Sequence, residues 1–437
     1  MSINPEEWKN RRAQKEQERK EKEARKRKWT IRIGIALAVA TVGIVLTLFI
    51  TQRFSGSEPE APVQTEPSAE TSETGDPVET EPAAQETEPA DSNITTIHVV
   101  AAGDINVTDK VVSAGGFGYD YTDVFMDVAY LFGDAELAMV NLEGNLCGAP
   151  YGTATHSAPQ GLLDALNRAG VDMVQLANSY AINKGISGLE QTITAVRAAG
   201  MEPLGVYRDS SEFRSGKGFT LYQVDGIEIA VVAFTKGMDG MALPAGSEDC
   251  VNLLYTDYES TYQSIDREGI TKILSSIEQE RPDITIALLH WGSEYNDTIS
   301  PTQEDIVELM QENGVDAIIG THPHFVQQMV FDEEAGTFVA YSLGDLISDA
   351  ERSGTQYSVI LDLEISKNLR NGKTAISGFS YTPIYTVAEP DRPLRVVRIN
   401  EAIQGYESYF IGRANEAIYT DMLYALERIK ARTSGEG

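Results

Sequence analysis

Polar side chains that could do chemistry gather in five short segments of this 437-residue chain, four of them carrying a carboxylate or an imidazole: Gly103-Asp104, Asn141-Leu142-Glu143, Ala177-Asn178-Ser179-Tyr180, His290-Trp291-Gly292 and Gly320-Thr321-His322-Pro323-His324. Asp104, Glu143, His290, His322 and His324 are of the types that ligate a divalent cation, and a cation held by such a set activates water. Asp104 offers a hard oxygen ligand after a strand and a glycine; the plainer reading is a turn or capping aspartate. Asn106, two residues on, faces the same way in an extended chain and could add a carbonyl oxygen. Glu143 closes a strand in apolar surroundings, where a carboxylate is costly unless paired or metal-bound, and Asn141 could orient it. The plainer reading there is a surface-loop glutamate. Of the five histidines, His290, His322 and His324 fall in loops at strand ends, a bias that favours ligands. His322 and His324 are spaced i, i+2 around Pro323. In an extended segment their rings would point the same way, to chelate one metal or bridge two. Gly292 lets the backbone turn beside the site, and Trp291 could wall it off from water. His98, inside a strand, and His156, in a loop, read as structural.

Each segment follows a run that reads as a buried strand: 97–102, 136–140, 172–176, 284–289 and 317–319. Between them lie helix patterns at 123–132, 159–169, 188–199, 265–279 and 301–313. Strands alternating with helices imply a largely parallel α/β sheet. In such a sheet the loops after the carboxyl ends of the strands share one crevice, so residues distant in sequence can meet there. Asp225-Gly226, between runs 219–224 and 227–234, is a hairpin signal. Beyond Gln327 the pattern turns strand-rich (338–342, 357–365, 375–382, 394–399), which predicts a second sheet beside the first, and 416–431 reads as a terminal helix.

The formal net charge of −31 argues against nucleic acid as a partner, because phosphate binding needs a basic face. The charge is uneven. Residues 1–29 form a basic arm, expected in the cytoplasm. Residues 30–52 are built around an uncharged apolar run at 33–50, long enough for a single transmembrane helix in contact with membrane lipid. The run is too long for a cleaved signal peptide. The positive-inside rule then places the main domain outside the cell membrane. Residues 53–94 are acidic and rich in Pro, Glu and Thr, the composition of a disordered spacer. The main domain is expected over 95–400 and a helical extension over 401–437. Cys147 and Cys250 are too few for a disulfide framework and read as unpaired thiols.

Taken together, Ala-Gly-Asp at 102–104, Asn-Leu-Glu at 141–143, His-Trp-Gly-Ser-Glu-Tyr at 290–295, Gly-Thr-His-Pro-His at 320–324 and Tyr-Ser-Leu-Gly-Asp at 341–345 resemble the CapA family. This is also called the PgsA or poly-γ-glutamate capsule-synthesis family, a distant relative of calcineurin-like metallophosphoesterases. The resemblance runs from about 97 to 349. It implies a four-layer metallophosphoesterase-like sandwich, two sheets flanked by helices. It implies a site for one or two divalent ions (Mn, Zn or Fe): Asp104 and His324 on one, His290 and His322 on the other, Glu143 bridging. Asn106, Asn141, Asn178, Trp291 and Glu294 would support them. It further implies an anionic capsule polymer or poly-γ-glutamate as substrate and membrane synthase subunits as partners. Two departures stand out. The family reads Ala-Asn-Asn-His where this chain has Ala177-Asn178-Ser179-Tyr180, so Ser179 replaces an amide ligand and Tyr180 an imidazole at the leaving group. Tyrosine is the weaker acid near neutral pH, and reduced hydrolysis is expected unless Asn178 or Asn183 compensates. Asp345 stands where the family commonly has Asn. The alternative to a metal-dependent hydrolase is a non-catalytic binding or assembly factor.

Overall fold

The structure, a computed structural model, describes residues 93–390, 392–408 and 414–435. The basic arm, the apolar segment 30–52 and nearly all of the 53–94 spacer lie outside the described residues. No helix among the described residues is long and apolar enough to cross a membrane.

Nearly continuous apolar runs, buried on both faces in the central strands, build two mixed sheets. The strands are β1 (Ile94–Asn106), β2 (Leu137–Glu143), β3 (Met173–Gln175), β4 (Glu202–Leu204), β5 (Thr220–Val224), β6 (Ile227–Thr235), β7 (Ile284–His290), β8 (Ala317–Thr321), β9 (Met329–Asp332), β10 (Thr337–Ala340), β11 (Asp345–Ile347), β12 (Tyr357–Asn368), β13 (Thr374–Val387) and β14 (Arg395–Arg398). One sheet is ordered β14-β13-β12-β1-β2-β3-β4 with β11 beside β1; the other is ordered β5-β6-β7-β8-β10-β9. Strands β1 to β4 are mutually parallel, as are β6, β7, β8 and β10.

The expectation of one parallel sheet followed by a second sheet after Gln327 is corrected. The parallel strands divide between both sheets, and the late strands do too: β9 and β10 join β8, whereas β12 to β14 flank β1. Strand patterning carries which face is buried but not which neighbour lies alongside. The helix expected at 123–132 is two short pieces, Thr122–Phe125 and Ala129–Gly133. Val124, Phe125 and Phe132 are buried without a continuous helix between them.

Longer helices cover the outer faces. On one side lie α1 (Gln160–Ala169), which stops at Gly170 with φ 111°, and α2 (Gly185–Ala198). On the other lie α3 (Arg267–Glu280) and α4 (Pro301–Glu312), the latter opened by a Ser300–Gln303 capping box. The side chains sort into three cores accordingly. Val100, Ala138, Val140 and Leu142 face α1 and α2. Ile97, Val99, Ala101, Leu137 and Met139 meet Ile229, Val231, Ile284, Ile286, Leu288, Ala317 and Ile319 between the sheets. Ala287, Leu289 and Ile318 face α3 and α4. The order is helices, sheet, sheet, helices. The terminal helices α5 (Ile399–Glu407) and α6 (Glu416–Ser434) close the inter-sheet core with Ile399, Ala402, Met422, Ala425 and Ile429. Cys147 and Cys250 are both free.

Candidate metal centre

The inter-sheet faces of four strands end in polar residues. Side chains alternate along a strand, so Leu137 and Met139 are followed on the same face by Asn141 and Glu143. Ile284, Ile286 and Leu288 lead to His290, and Ala317 and Ile319 lead to Thr321. Strand β1 would put Gly103 on this face, but its register against β2 shifts between Ala101 and Asp104. A bulge re-aims a side chain in this way, and here it brings Asp104 inward. Gly103 makes this workable: a Cβ there would lie 1.7 Å from Gly344 O. That close approach lets the Asp104 N–H donate to Gly344 O at 3.0 Å. Gly320 does the same for β8, where a Cβ would lie 2.0 Å from Tyr341 O.

Asp104, Glu143, His290, His322 and His324 therefore meet at one lip, all buried. They fall into two groups of ligand atoms, each mutually within 4.8 Å: Glu143, His290 and His322, and Asp104, His324 and Asp345. His324 Nδ1 lies 2.8 Å from Asp345 Oδ1 and 3.5 Å from Asp104 Oδ2. Glu143 turns one oxygen to each group, Oε1 at 3.4 Å from His290 Nε2 and Oε2 at 3.9 Å from His324 Nε2.

Amides hold these groups in place. Asn178 donates to Asn141 Oδ1 at 3.0 Å and to Leu142 O at 2.7 Å. Asn141 in turn donates to Asp104 Oδ1 at 2.6 Å. Its amide thus orients Asp104, where the sequence pointed to Glu143. The His322 backbone N–H donates to Asp104 Oδ2 at 2.9 Å, and Thr321 Oγ1 sits 3.2 Å from His290 Nδ1. Asn106 presents its amide nitrogen 3.4 Å from His324 Nδ1.

Several expectations need correction. His322 and His324 are not extended: φ is 91° and 59°. Their ring centroids are 6.1 Å apart and the two rings enter different groups. A left-handed backbone at a non-glycine residue is strained and persists only where its surroundings impose it. Trp291 does not wall the site. It alternates to the opposite face, joins the core under α3 and α4, and donates Nε1–H to Tyr341 O at 2.9 Å. Glu294 is exposed at the rim. Asn183 bonds through its backbone N–H to Tyr180 O.

Electrostatics divide the two groups. Burial pushes Asp104 up to about 6, against the pull of His324. Burial, then Asp104, carries Glu143 well above the usual carboxylate range, and burial raises Asp345. Burial opposes charge on His324, but Asp345, Glu143 and Asp104 hold its imidazole well above the ordinary value. Burial drives His290 and His322 well below it, so both rings are neutral. Glu143 Oε1 and His322 Nδ1 are buried without a hydrogen-bond partner. Orphaned polar atoms are costly in an interior, and a carboxylate oxygen beside an imidazole nitrogen is a donor set that fits a divalent cation.

Ser179 and Tyr180 border the Glu143 group. Ser179 Oγ lies 3.1 Å and its backbone N 3.3 Å from His290 Nε2. The Tyr180 ring stacks on His156 at 4.1 Å, and burial followed by Glu143 raises its phenol. His156, read as structural, is thus drawn to the rim.

The sequence left three residues out of the ligand and support set. Asp345 was noted only as a family departure, yet its Oδ1 faces His324; it stands one glycine beyond the Tyr341-Ser342-Leu343 run, the same sign that marked Asp104. Lys236, one residue past β6, places Nζ 3.4 Å from His322 Nε2 and 2.8 Å from Gly292 O. Tyr295 stacks on His324 at 5.1 Å. The tyrosine closes the His-Trp-Gly-Ser-Glu-Tyr segment, but no role was read from it there.

With this geometry in hand, residues 98–350 match the family described as bacterial capsule synthesis protein PGA_cap. The chain belongs to this family. Relatives include the capsule biosynthesis protein CapA of Bacillus anthracis, 28% identical over 223 residues, 50% of this chain and 49% of that protein. The PGA biosynthesis protein CapA of Bacillus subtilis is 26% identical over 208 residues, 48% and 49% of the two chains. The chain spans about half the length of the curated relatives it matches. Solved structures similar to it include the calcineurin-like phosphoesterase YfkN from Bacillus subtilis (TM-score 0.42, 14% identity, 77% of this chain and 99% of that one). A phosphatase from Mycoplasma pneumoniae aligns at TM-score 0.41 and 14% identity, over 67% and 94%.

Proposed function

We propose that this family member is a metal-dependent hydrolase of metallophosphoesterase-like architecture, acting on an anionic capsule polymer of the poly-γ-glutamate kind outside the cell. It would be held to the cell membrane through residues 30–52, where synthase subunits would be its neighbours. The observation that carries the reading is the pair of facing ligand groups, with Glu143 Oε1 and His322 Nδ1 left without partners in a buried site. Asp104, His324 and Asp345 would hold one divalent ion (Mn, Zn or Fe), His290 and His322 a second, with Glu143 turned to both. Such ions supply Lewis-acid polarisation of the scissile group and water activation near neutral pH. The chain's own part is orientation: the Asn178–Asn141–Asp104 relay and the His322 N–H fix one carboxylate from both sides, and Thr321 faces His290 Nδ1. Tyr180, kept as a neutral phenol, offers an O–H rather than an acid proton at the rim. The purified chain should contain about one or two transition-metal ions and cleave a model ester or amide. His324→Ala should abolish turnover, and a folded chain free of metal would sink the reading.

A second reading is favoured by Ser179 and Tyr180: a binding or assembly factor with a weakened site. Serine against His290 is a poorer ligand than an amide, and a raised phenol is a poor proton donor to a leaving group. Ser179→Asn with Tyr180→His separates the two. A gain in turnover of about a hundredfold, the scale of one general acid, would mark a scaffold that keeps its catalytic geometry. No gain, with metal bound, would favour the assembly factor.

A further inference from the structure

One cation sits among these ligands with no acidic partner among the described residues. The Lys236 backbone N–H donates to His290 O at 2.8 Å, which fixes the residue at the lip where β6 and β7 end. Its Nζ donates to Gly292 O, lies 3.4 Å from His322 Nε2 and stands 4.5 Å from the Tyr262 ring centroid. Among the described residues no carboxylate lies within ion-pair distance of it. In a chain of net charge −31 a half-buried ammonium left to a carbonyl, an aromatic face and an imidazole is conspicuous.

The chemistry of His322 sharpens this. A neutral imidazole has one N–H and one lone pair. If Nδ1, the orphaned nitrogen, takes a cation, Nε2 must carry the hydrogen and turns an N–H towards the ammonium. If Nε2 takes the cation, the ammonium lies beside a metal. Both arrangements set positive against positive, and both are relieved by an anionic oxygen seated between them. We propose that Lys236 is the anchor for an oxyanion of the substrate, so that the site selects substrates carrying a phosphoryl or carboxylate oxygen next to the bond acted on. The proposal rests on the metal-site reading above, and Lys236 is a binding residue in it.

Calorimetric titration of the full-length chain with inorganic phosphate and with a short γ-linked glutamate peptide tests it and tells the two oxyanions apart. Lys236→Met should weaken binding of the preferred anion about tenfold to a hundredfold, the loss of one contact to a charged group, with metal content unchanged. Lys236→Gln, which keeps a donor for Gly292 O, should lose as much, and this second variant covers a Met variant that fails to fold. Anion affinity equal to the parent's in a folded Gln variant, or no binding of either probe by the metal-loaded parent, overturns the anchor. Metal analysis of the same samples keeps the claims apart. A metal-free chain that still binds phosphate through Lys236 removes the metal reading and retains the anchor.

Discussion

The two halves of the centre are built from the same residue types and solve opposite problems. In the Asp104–His324–Asp345 half, an imidazole held well above its ordinary value lies among carboxylates and its contacts are closed. In the Glu143–His290–His322 half, both rings are neutral and two ligand atoms have no partner. Burial is nearly the same in both, so burial alone does not decide protonation; neighbours do. His324 sits against three acids. His290 and His322 face each other at 4.5 Å between ring centroids, with Lys236 beyond. The first half is neutralised by a proton, and loading it with a cation must displace that proton. The second half, with both rings neutral, has no imidazolium proton to lose.

The largest test of this contrast is to remove one imidazole from each half of the metal-free protein. His324→Ala strips the counter-charge from buried acids, and breaking a buried pair in this way costs about 3–5 kcal/mol. His322→Ala removes a ring whose Nδ1 was unsatisfied, so its cost should be mainly lost packing, about 1–2 kcal/mol. Urea unfolding of the two variants gives the comparison directly. Equal losses would mean that packing rather than charge distinguishes the halves.

Changing pH probes the same contrast without mutation. Asp104, Glu143 and Asp345 have folded values raised above their unfolded ones, so their stabilising contribution is complete below the unfolded values, near 3.8 for the aspartates and 4.5 for Glu143, and fades as pH climbs through the folded values. His324 is raised as well; its contribution is complete below about 6.5 and fades above. All four slopes run one way. His290 and His322, depressed by burial, slope the other way until pH passes their unfolded value near 6.5. They offset the Asp104 contribution, about 3 kcal/mol on its rise to about 6, so the net loss of stability in the metal-free protein should show from about pH 7 upward. Added Mn²⁺ should restore more stability at the alkaline end than at the acid end. Thermal unfolding across the pH range with and without the ion reads both effects. A metal-free profile that stays flat above about pH 7 would contradict the charged assignment of His324.

The difference between the halves also marks what the sequence could carry. Asp104, Glu143, His290 and the Thr321–His324 turn were legible because each follows an apolar strand, and a strand end announces itself in one dimension. The sharing of strands between the two sheets was not legible, since β12 sits beside β1 through pairing across more than 250 positions. The i, i+2 spacing of His322 and His324 suggested one direction for both rings. Two left-handed residues overrode it, and local spacing does not report backbone handedness. Trp291 misled for the converse reason: adjacency to His290 in a strand places it on the opposite face. Lys236 went unnoticed because a single lysine after a strand reads as a solvated end. Only the folded lip shows that no acid among the described residues meets it.

The smallest test concerns the rim over the protonated half. Tyr295 stacks on His324 with an interplanar angle of 27°, its N–H donates to Pro323 O at 2.9 Å, and the Arg352 guanidinium lies 3.8 Å from its ring centroid. An aromatic face beside an imidazolium adds a modest attraction, about 0.5–1 kcal/mol at a partly exposed site. Tyr295→Leu should therefore cost roughly that much in urea unfolding, and Arg352→Ala, at an exposed and screened position, less than about 0.5 kcal/mol. Proton NMR titration of His324 should find its raised value largely retained in both variants, because the acids rather than the ring set it. If Tyr295→Leu lowered the His324 value as far as Asp345→Asn does, the aromatic rim and not the carboxylate cage would be what separates this half from its neighbour.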